Sequence, residues 1–340
     1  MVAARDARAW ARESLRGLGD SLYTPFSGPD GDDIDWDAYR ALVHYCVGDL
    51  QHPMLWLTSG IAEWWSLTIP ERKRLLEITV DEVRAIAPGA VVQACTSATS
   101  AKDALELTLH AQETGADVCY LQTPPMEVHG GEGTLRFFQY VADRTDIALG
   151  MFNSPSSGFV LSPEELARIY DEVPAVCAIK EGCLQPWRSK ALHELAPGLV
   201  IWECDTIVYR AGWLQEGITV PAQLGSNLYL SDTPDRPIAT HYWNLLFAGE
   251  IPEAIHYAKE TGLEQLEVAL RPWSTKYPGR PDYFTHWGAC YRHAAQLVGL
   301  PVGDYQESRP PQAVLPQQAR DDIRASFERL GRLKEPVAVG

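Results

Sequence analysis

Short apolar runs recur along the chain, each closed by small or polar residues. They are 19–26 (GDSLYTPF), 53–60 (PMLWLTSG), 89–97 (GAVVQACTS), 115–124 (GADVCYLQTP), 146–155 (DIALGMFNSP), 175–182 (AVCAIKEG), 198–205 (GLVIWECD) and 217–225 (GITVPAQLG). Most are apolar at successive rather than alternate positions, the pattern of parallel strands buried on both faces. Between them the apolar spacing lengthens to three or four residues. The segment 68–86 opens with Thr68 and Glu71 as a capping box around the early Pro70, then aligns Leu76, Val80 and Val83 on one face. The segment LSPEELARIYDEV repeats the device: Ser162 caps, Pro163 takes the first helical position, Glu165 the third, and Leu166, Ile169 and Tyr170 form the buried face. Eight strand runs alternating with helices predict an α/β fold, a (β/α)8 TIM barrel with a C-terminal helical extension. The competing arrangement is an open six-stranded sheet with added elements. The GxGxxG turn of a dinucleotide fold is absent.

Beyond the eighth run, 233–248, 251–270, 281–298 and 317–331 read as helices, one completing the last barrel unit and the others forming the extension, with a turn at SRPPQAVLP. The first residues, MVAARDARAWARESLRGLG, carry charges where a signal peptide needs an unbroken apolar core, and predict a short amphipathic helix. The expected organisation is an N-terminal helix at 1–18, a barrel at 19–248 and a helical extension at 249–340, with the last residues, KEPVAVG, frayed.

Composition narrows the partners. Apolar residues make up 46% of the 340, and the formal charge is −16. An acidic surface with a sequence pI near 5.0 repels nucleic acid and anionic membrane. No apolar run reaches the ~18 residues of a membrane span. The seven cysteines form no CxxC pair and sit mostly inside apolar runs, as reduced thiols of a cytoplasmic protein would. The nine histidines show neither HxxxH nor HExxH spacing, so no metal site is expected.

One residue breaks the apolar pattern. Lys180 ends the sixth run, at the strand end where barrels of this type place their chemistry. A desolvated lysine loses affinity for its proton, and the neutral amine attacks carbonyls to form a Schiff base. Working near neutrality takes a depression of ~3 units from the reference value, on the order of 4 kcal/mol. The plainer alternatives are a lysine that reaches the rim or pairs with Glu181.

The words around the lysine sharpen the choice. TPF followed by DGDDID, SGIAE after strand 2, TP after strand 4, FNSP after strand 5 and IKEG on strand 6 occur in one order. Together, over roughly residues 19–330, they resemble the dihydrodipicolinate synthase/N-acetylneuraminate lyase superfamily of class I aldolases. The resemblance implies a barrel with a helical tail, usually a homotetramer, with a dimer as the other homo-oligomer. It implies a small carbonyl substrate, pyruvate or another 2-oxo acid, held by Lys180 as a Schiff base without any cofactor or metal.

Departures from the family words matter equally. The family's Tyr-Asn-x-Pro relay tyrosine is replaced by Phe152, which can wall a site but cannot move a proton. On strand 2 the two hydroxyl residues that hold the substrate carboxylate have become Gly60 and Ile61, leaving backbone N–H groups, Thr58 and Ser59 for that task. The tyrosines after the strand-4 TP are Pro125 and Met126. The arginine that dihydrodipicolinate synthase uses past strand 5 is Ser157, which argues against the lysine-pathway reaction. Met126 and Thr219 join Thr58, Ser59, Gly60, Ile61 and Phe152 as substrate-contacting candidates. Trp56, Trp64 and Trp65, otherwise core residues, suggest a rather apolar pocket with these neighbours. Such a pocket, the N-terminal helix and the RPP turn are similar to the hydratase-aldolase branch, which cleaves aromatic benzylidenepyruvates. Candidates to replace the tyrosine are Glu63, His129 and Asp205. Each also has a structural reading: holding loop backbone, a solvated loop histidine and strand-end hydrogen bonding. The expected activity is a carbon–carbon lyase through Lys180. The alternatives are a diverged barrel that binds a carbonyl acid without turnover, and a dehydratase or cyclase using Lys180 as a base.

Overall fold

The computed structural model describes residues 2–125, 129–183, 185–203, 222–224, 228–266, 269–270 and 287–334. Among them, eight strands close into a ring in which every neighbouring pair is parallel. These are β1 (Gly17–Ser21), β2 (Met54–Leu57), β3 (Val91–Cys95), β4 (Val118–Gln122), β5 (Ala148–Asn153), β6 (Val176–Glu181), β7 (Val200–Glu203) and β8 (Ala222–Leu224). The ring closes where Gly17, Leu18 and Gly19 face Ala222, Gln223 and Leu224. The open-sheet alternative is thereby removed. Strand β1 starts and ends earlier than the apolar run 19–26 suggests: it stops at Ser21, and Phe26–Ser27 pair antiparallel with Asp33–Ile34 in a separate small ladder.

Helices follow the strands, and their caps are the ones written in the sequence. Helix α2 (Trp36–His44) starts at Asp35, whose carboxylate accepts from Ala38 N–H. Helix α3 (Ile69–Ile86) carries the full Thr68–Glu71 capping box. After α4 (Ala101–Thr114) and α5 (Gly130–Ala142), α6 (Pro163–Glu172) carries the Ser162–Glu165 box. Its apolar face, Leu166, Ile169 and Tyr170, is buried. Helix α7 (Pro186–Leu195) comes next, and α2 to α7 pack side by side around the ring. After β8 come α8 (Ile238–Phe247), α9 (Ile251–Thr261), α10 (Trp287–Leu297) and α11 (Gln317–Leu330). Helix α8 begins later than position 233, because Thr233 and Arg236 close a turn on each other and Pro237 precedes the first helical residue. The single helix expected over 251–270 is interrupted at Gly262, which takes the left-handed conformation that ends helices.

The amphipathic N-terminal segment is a helix, α1 (Ala7–Ser14), and its role is to plug the ring. Ala7, Ala11 and Leu15 are fully buried in one cluster with Met54, Val91, Val118, Ala148 and Val200, the first inward-facing residues of five strands. Arg8 fixes it by donating to the carbonyls of Val176 and Tyr170. Helix α1 thus closes the lumen at the N-terminal end of its strands, and barrels carry their sites at the other end. None of the helices among the described residues is long and apolar enough to cross a membrane.

A buried charge cluster pins the seam of the ring. Asp20 of β1 accepts from Leu228 N–H at 2.8 Å and from the imidazole Nδ1 of His52, which leads into β2. On the other side of the imidazole, Nε2 lies 3.5 Å from Asp232, which also caps α8 through Ala239 N–H and the Thr240 hydroxyl. Burial opposes charge on His52, but the two carboxylates outweigh it and raise its pKa from 6.5 to about 10. A raised folded-state pKa contributes stability in full below pH 6.5 and loses it as pH climbs towards 10. His52→Gln should therefore melt well below the wild type at pH 6, with the gap narrowing steadily up to pH 10. A gap in thermal unfolding that stays constant over that range would show that the imidazole carries no charge in the fold.

Candidate active site

Strand alternation decides where the sixth strand sends its two charges. Lys180 points into the lumen with Ala178, and Glu181 points out with Ile179. The outward carboxylate accepts from Asn153 Nδ2 at 2.9 Å and from Cys183 N–H at 3.0 Å, and lies 3.6 Å from Arg188. Asn153 also accepts from Leu161 N–H at 3.0 Å. The FNSP and IKEG words are thus two halves of one clamp between β5 and β6, and it fixes Phe152 opposite Lys180.

Inside, Lys180 is 3% exposed. Its Nζ stands 3.8 Å from the ring centre of Trp56 and 5.3 Å from that of Phe152. The two rings meet edge to face at 5.2 Å, and Tyr120 meets Trp56 the same way at 5.8 Å. Trp202 lies beside Lys180 on β7. An indole face over a desolvated amine stabilises its cationic forms by about 2 kcal/mol or more.

The turn after β2 is built on two residues in the left-handed region, Thr58 (φ 50°) and Glu63 (φ 59°). The Thr58 hydroxyl sits 2.8 Å from the carbonyls of both Leu57 and Cys95. The Ser59 hydroxyl is 2.6 Å from that of Ser21. Arg72 of α3 holds the end of β3 by donating to the carbonyls of Cys95 and Ser97, each at 2.7 Å, with its guanidinium over Trp64. Ile61 is buried, and Trp287 covers Gly60 so closely that a Cβ there would lie 3.3 Å from the indole.

Glu63, an acid–base candidate on sequence grounds, is committed elsewhere. Its carboxylate accepts from Arg292 of α10 at 2.8 Å, and both side chains are fully buried. Arg292 also donates to the carbonyls of Gln306, Glu307 and Thr24, so the pair ties the C-terminal helix to the loops after β1 and β2. Gly288 allows the approach: a Cβ there would fall 2.5 Å from the carboxyl carbon of Glu63. His129 is exposed at the start of α5, its ring against Phe159. Met126, Asp205 and Thr219 lie outside the described residues. Sequence reasoning missed Arg292, Gly288 and Trp287, whose helix reads only as part of a tail. It also missed Tyr120 and Trp202, which read as ordinary strand residues.

The sequence model of the Dihydrodipicolinate synthetase family matches residues 14–215, more than half of the chain. The chain belongs to that family. Among curated members, it is 29% identical over 184 residues to a 4-hydroxy-tetrahydrodipicolinate synthase of Fervidobacterium nodosum, covering 54% of this chain and 60% of the relative. Over 169 residues it is 32% identical to the synthase of Thermotoga neapolitana, covering 49% and 55%. The match thus spans about 60% or less of these relatives' length. Among solved structures, a monomeric dihydrodipicolinate synthase variant matches with a TM-score of 0.76 at 20% identity, over 94% of this chain and 98% of that one. A prophage protein of the dihydrodipicolinic acid synthase family from E. coli K12, solved in complex with pyruvate, matches with a TM-score of 0.76 at 19% identity, over 94% and 99%. These likenesses show a shared fold, including the C-terminal helices.

Within this family fold, Arg292→Met would leave the Glu63 carboxylate buried without a cation. Chemical denaturation should then show a loss of about 3–5 kcal/mol. A loss below about 1 kcal/mol would mean that the ion pair does not hold the tail to the barrel.

Proposed function

We propose that this protein is a Schiff-base lyase or aldolase acting on a 2-oxo acid or related carbonyl compound through Lys180. The observation that carries the reading is an amine buried in the lumen near the end of its strand, against the faces of Trp56 and Phe152. The neutral amine adds to the substrate carbonyl and water leaves, giving an iminium. That cation draws electrons from the adjacent carbon, so a carbon–carbon bond there can be made or broken, or water lost. Trp56 offers its π face to the iminium charge, and Phe152 walls the reacting carbon from water. The chemistry asks for neither a metal nor an organic cofactor.

The surrounding residues bear on the substrate. The backbone at Gly60 and Ile61, with Thr58 and Ser59, is the proposed seat of the acid group. Phe152, Trp56 and Ile61 make the walls apolar, which favours a bulky or aromatic substituent over a sugar chain. Where the synthases of the lysine pathway place an arginine, Ser157 is buried with its hydroxyl donated to the carbonyls of Ser154 and Phe159. A serine so engaged offers no cation to a second carboxylate, which argues against the dihydrodipicolinate reaction. The small-molecule partner is accordingly a monocarboxylic carbonyl compound.

Incubation with pyruvate or an arylidene pyruvate and borohydride should add one reduced adduct to the wild-type mass and none to Lys180→Ala. Trp56→Leu should lower the trapped yield by about 30-fold, the loss of one desolvated cation–π contact. Saturable binding of these acids without any reducible adduct would overturn the covalent reading and leave a binding barrel.

A further inference from the structure

Beneath Lys180 the lumen holds polar groups for which these steps have no use. Gln93 shares the inward face of β3 with Val91 and Cys95, and both of its amide atoms are buried without a hydrogen bond. The Tyr120 hydroxyl and the indole N–H groups of Trp56 and Trp202 are in the same condition. A native protein leaves only a few such groups per hundred residues, and each calls for a reason. Here they come from β2, β3, β4 and β7 and face one chamber.

Tyr120 is the member best placed to act. Its ring leans from β4 over the neighbouring β5, where Gly150 makes way for it: a Cβ at that position would lie 2.5 Å from the phenol ring. On one side its ring touches Trp56, the indole over which the Lys180 amine sits. On the other, its hydroxyl comes close enough to Trp202 for that indole to favour the phenolate, and Trp202 is the cross-strand neighbour of Lys180. A residue that only filled the space would be phenylalanine, which buries the same ring without a hydroxyl to desolvate.

We propose that Tyr120 is the proton relay of this enzyme, acting from below the lysine in place of the hydroxyl that β5 lacks at Phe152. The proposal rests on the Schiff-base reading. In the carbinolamine formed between Lys180 and a 2-oxo acid, the phenol gives its proton to the departing hydroxyl. Water leaves, the nitrogen lone pair forms the C=N bond, and tyrosinate remains beside the iminium. Tyrosinate then removes a proton from the adjacent carbon, whose electrons move onto nitrogen. The products are the neutral enamine, one water and the original phenol. Burial holds the Tyr120 pKa well above its ordinary value, so the residue rests as the acid that the first step requires. Glu63 is tied to Arg292 and His129 is exposed, so neither described alternative competes for the role.

Exchange of the methyl protons of pyruvate in deuterium oxide, followed by NMR, tests the relay, with borohydride trapping run in parallel. Tyr120→Phe should slow exchange by about 100-fold or more. Its final trapped yield on Lys180 should stay at the wild-type level, and its melting temperature should be unchanged. Adding Phe152→Tyr to that variant should restore at least a tenth of the rate, which a packing role for Tyr120 would not allow. Exchange by Tyr120→Phe within twofold of wild type, or a wild type that traps pyruvate without exchanging it, overturns the relay and leaves the lysine chemistry intact. So does a defect accompanied by lost trapping and not relieved by Phe152→Tyr. A wild type that traps nothing overturns the Schiff-base reading itself, and the relay falls with it.

Discussion

Two charges stand next to each other on β6, and the barrel wall keeps them apart. Glu181 is held outside by Asn153, Cys183 N–H and Arg188, while Lys180 projects into an aromatic lumen. On the outer face the Glu181 carboxylate locks β5 and β6 in register. Everything proposed for the site depends on that orientation, because only an inward-facing amine can reach a carbonyl bound in the lumen.

Enclosure is then supplied from both ends. Helix α1 plugs the N-terminal mouth with Ala7, Ala11 and Leu15. At the other end, α10 reaches back over the turn after β2, placing Trp287 against Gly60 and Arg292 on Glu63. The C-terminal helices therefore pack on the turn after β2, the proposed seat of the acid group. The same arrangement gives the glutamate of the SG-x-x-E word a structural task in this chain. Glu63 sits in a left-handed turn and anchors the tail through Arg292.

Much of this was legible in the sequence, for identifiable reasons. Strand runs and capping boxes are local: Thr68 with Glu71 and Ser162 with Glu165 need only their own helix turns to form. The position of Lys180 follows from strand order alone. What could not be read is what depends on closing the ring. Tyr120 and Trp202 sit three strands apart in ordinary apolar runs, and only the barrel sets one against Trp56 and the other beside Lys180. The pairing of Glu63 with Arg292 spans 229 positions, and no local spacing announces it. The helix ends at 238 and 261 were misjudged because turn formation at Thr233–Arg236 and the left-handed Gly262 override an apolar periodicity that continues through them.

A second constraint appears in the lumen. Filling a barrel with Trp56, Tyr120, Phe152 and Trp202 gives a floor that is apolar in area yet carries several unpaired polar atoms. Such a floor combines apolar burial with polar atoms, the combination that the proposed iminium chemistry and proton relay use. The most direct measurement of the central claim is a crystal structure of the protein reduced with borohydride in the presence of pyruvate. The account predicts continuous density from Lys180 Nζ into a three-carbon acid, with the former carbonyl carbon over Trp56 and the methyl group turned towards Tyr120. An unmodified Lys180 in a fully soaked crystal, or an adduct on any other lysine, would contradict it.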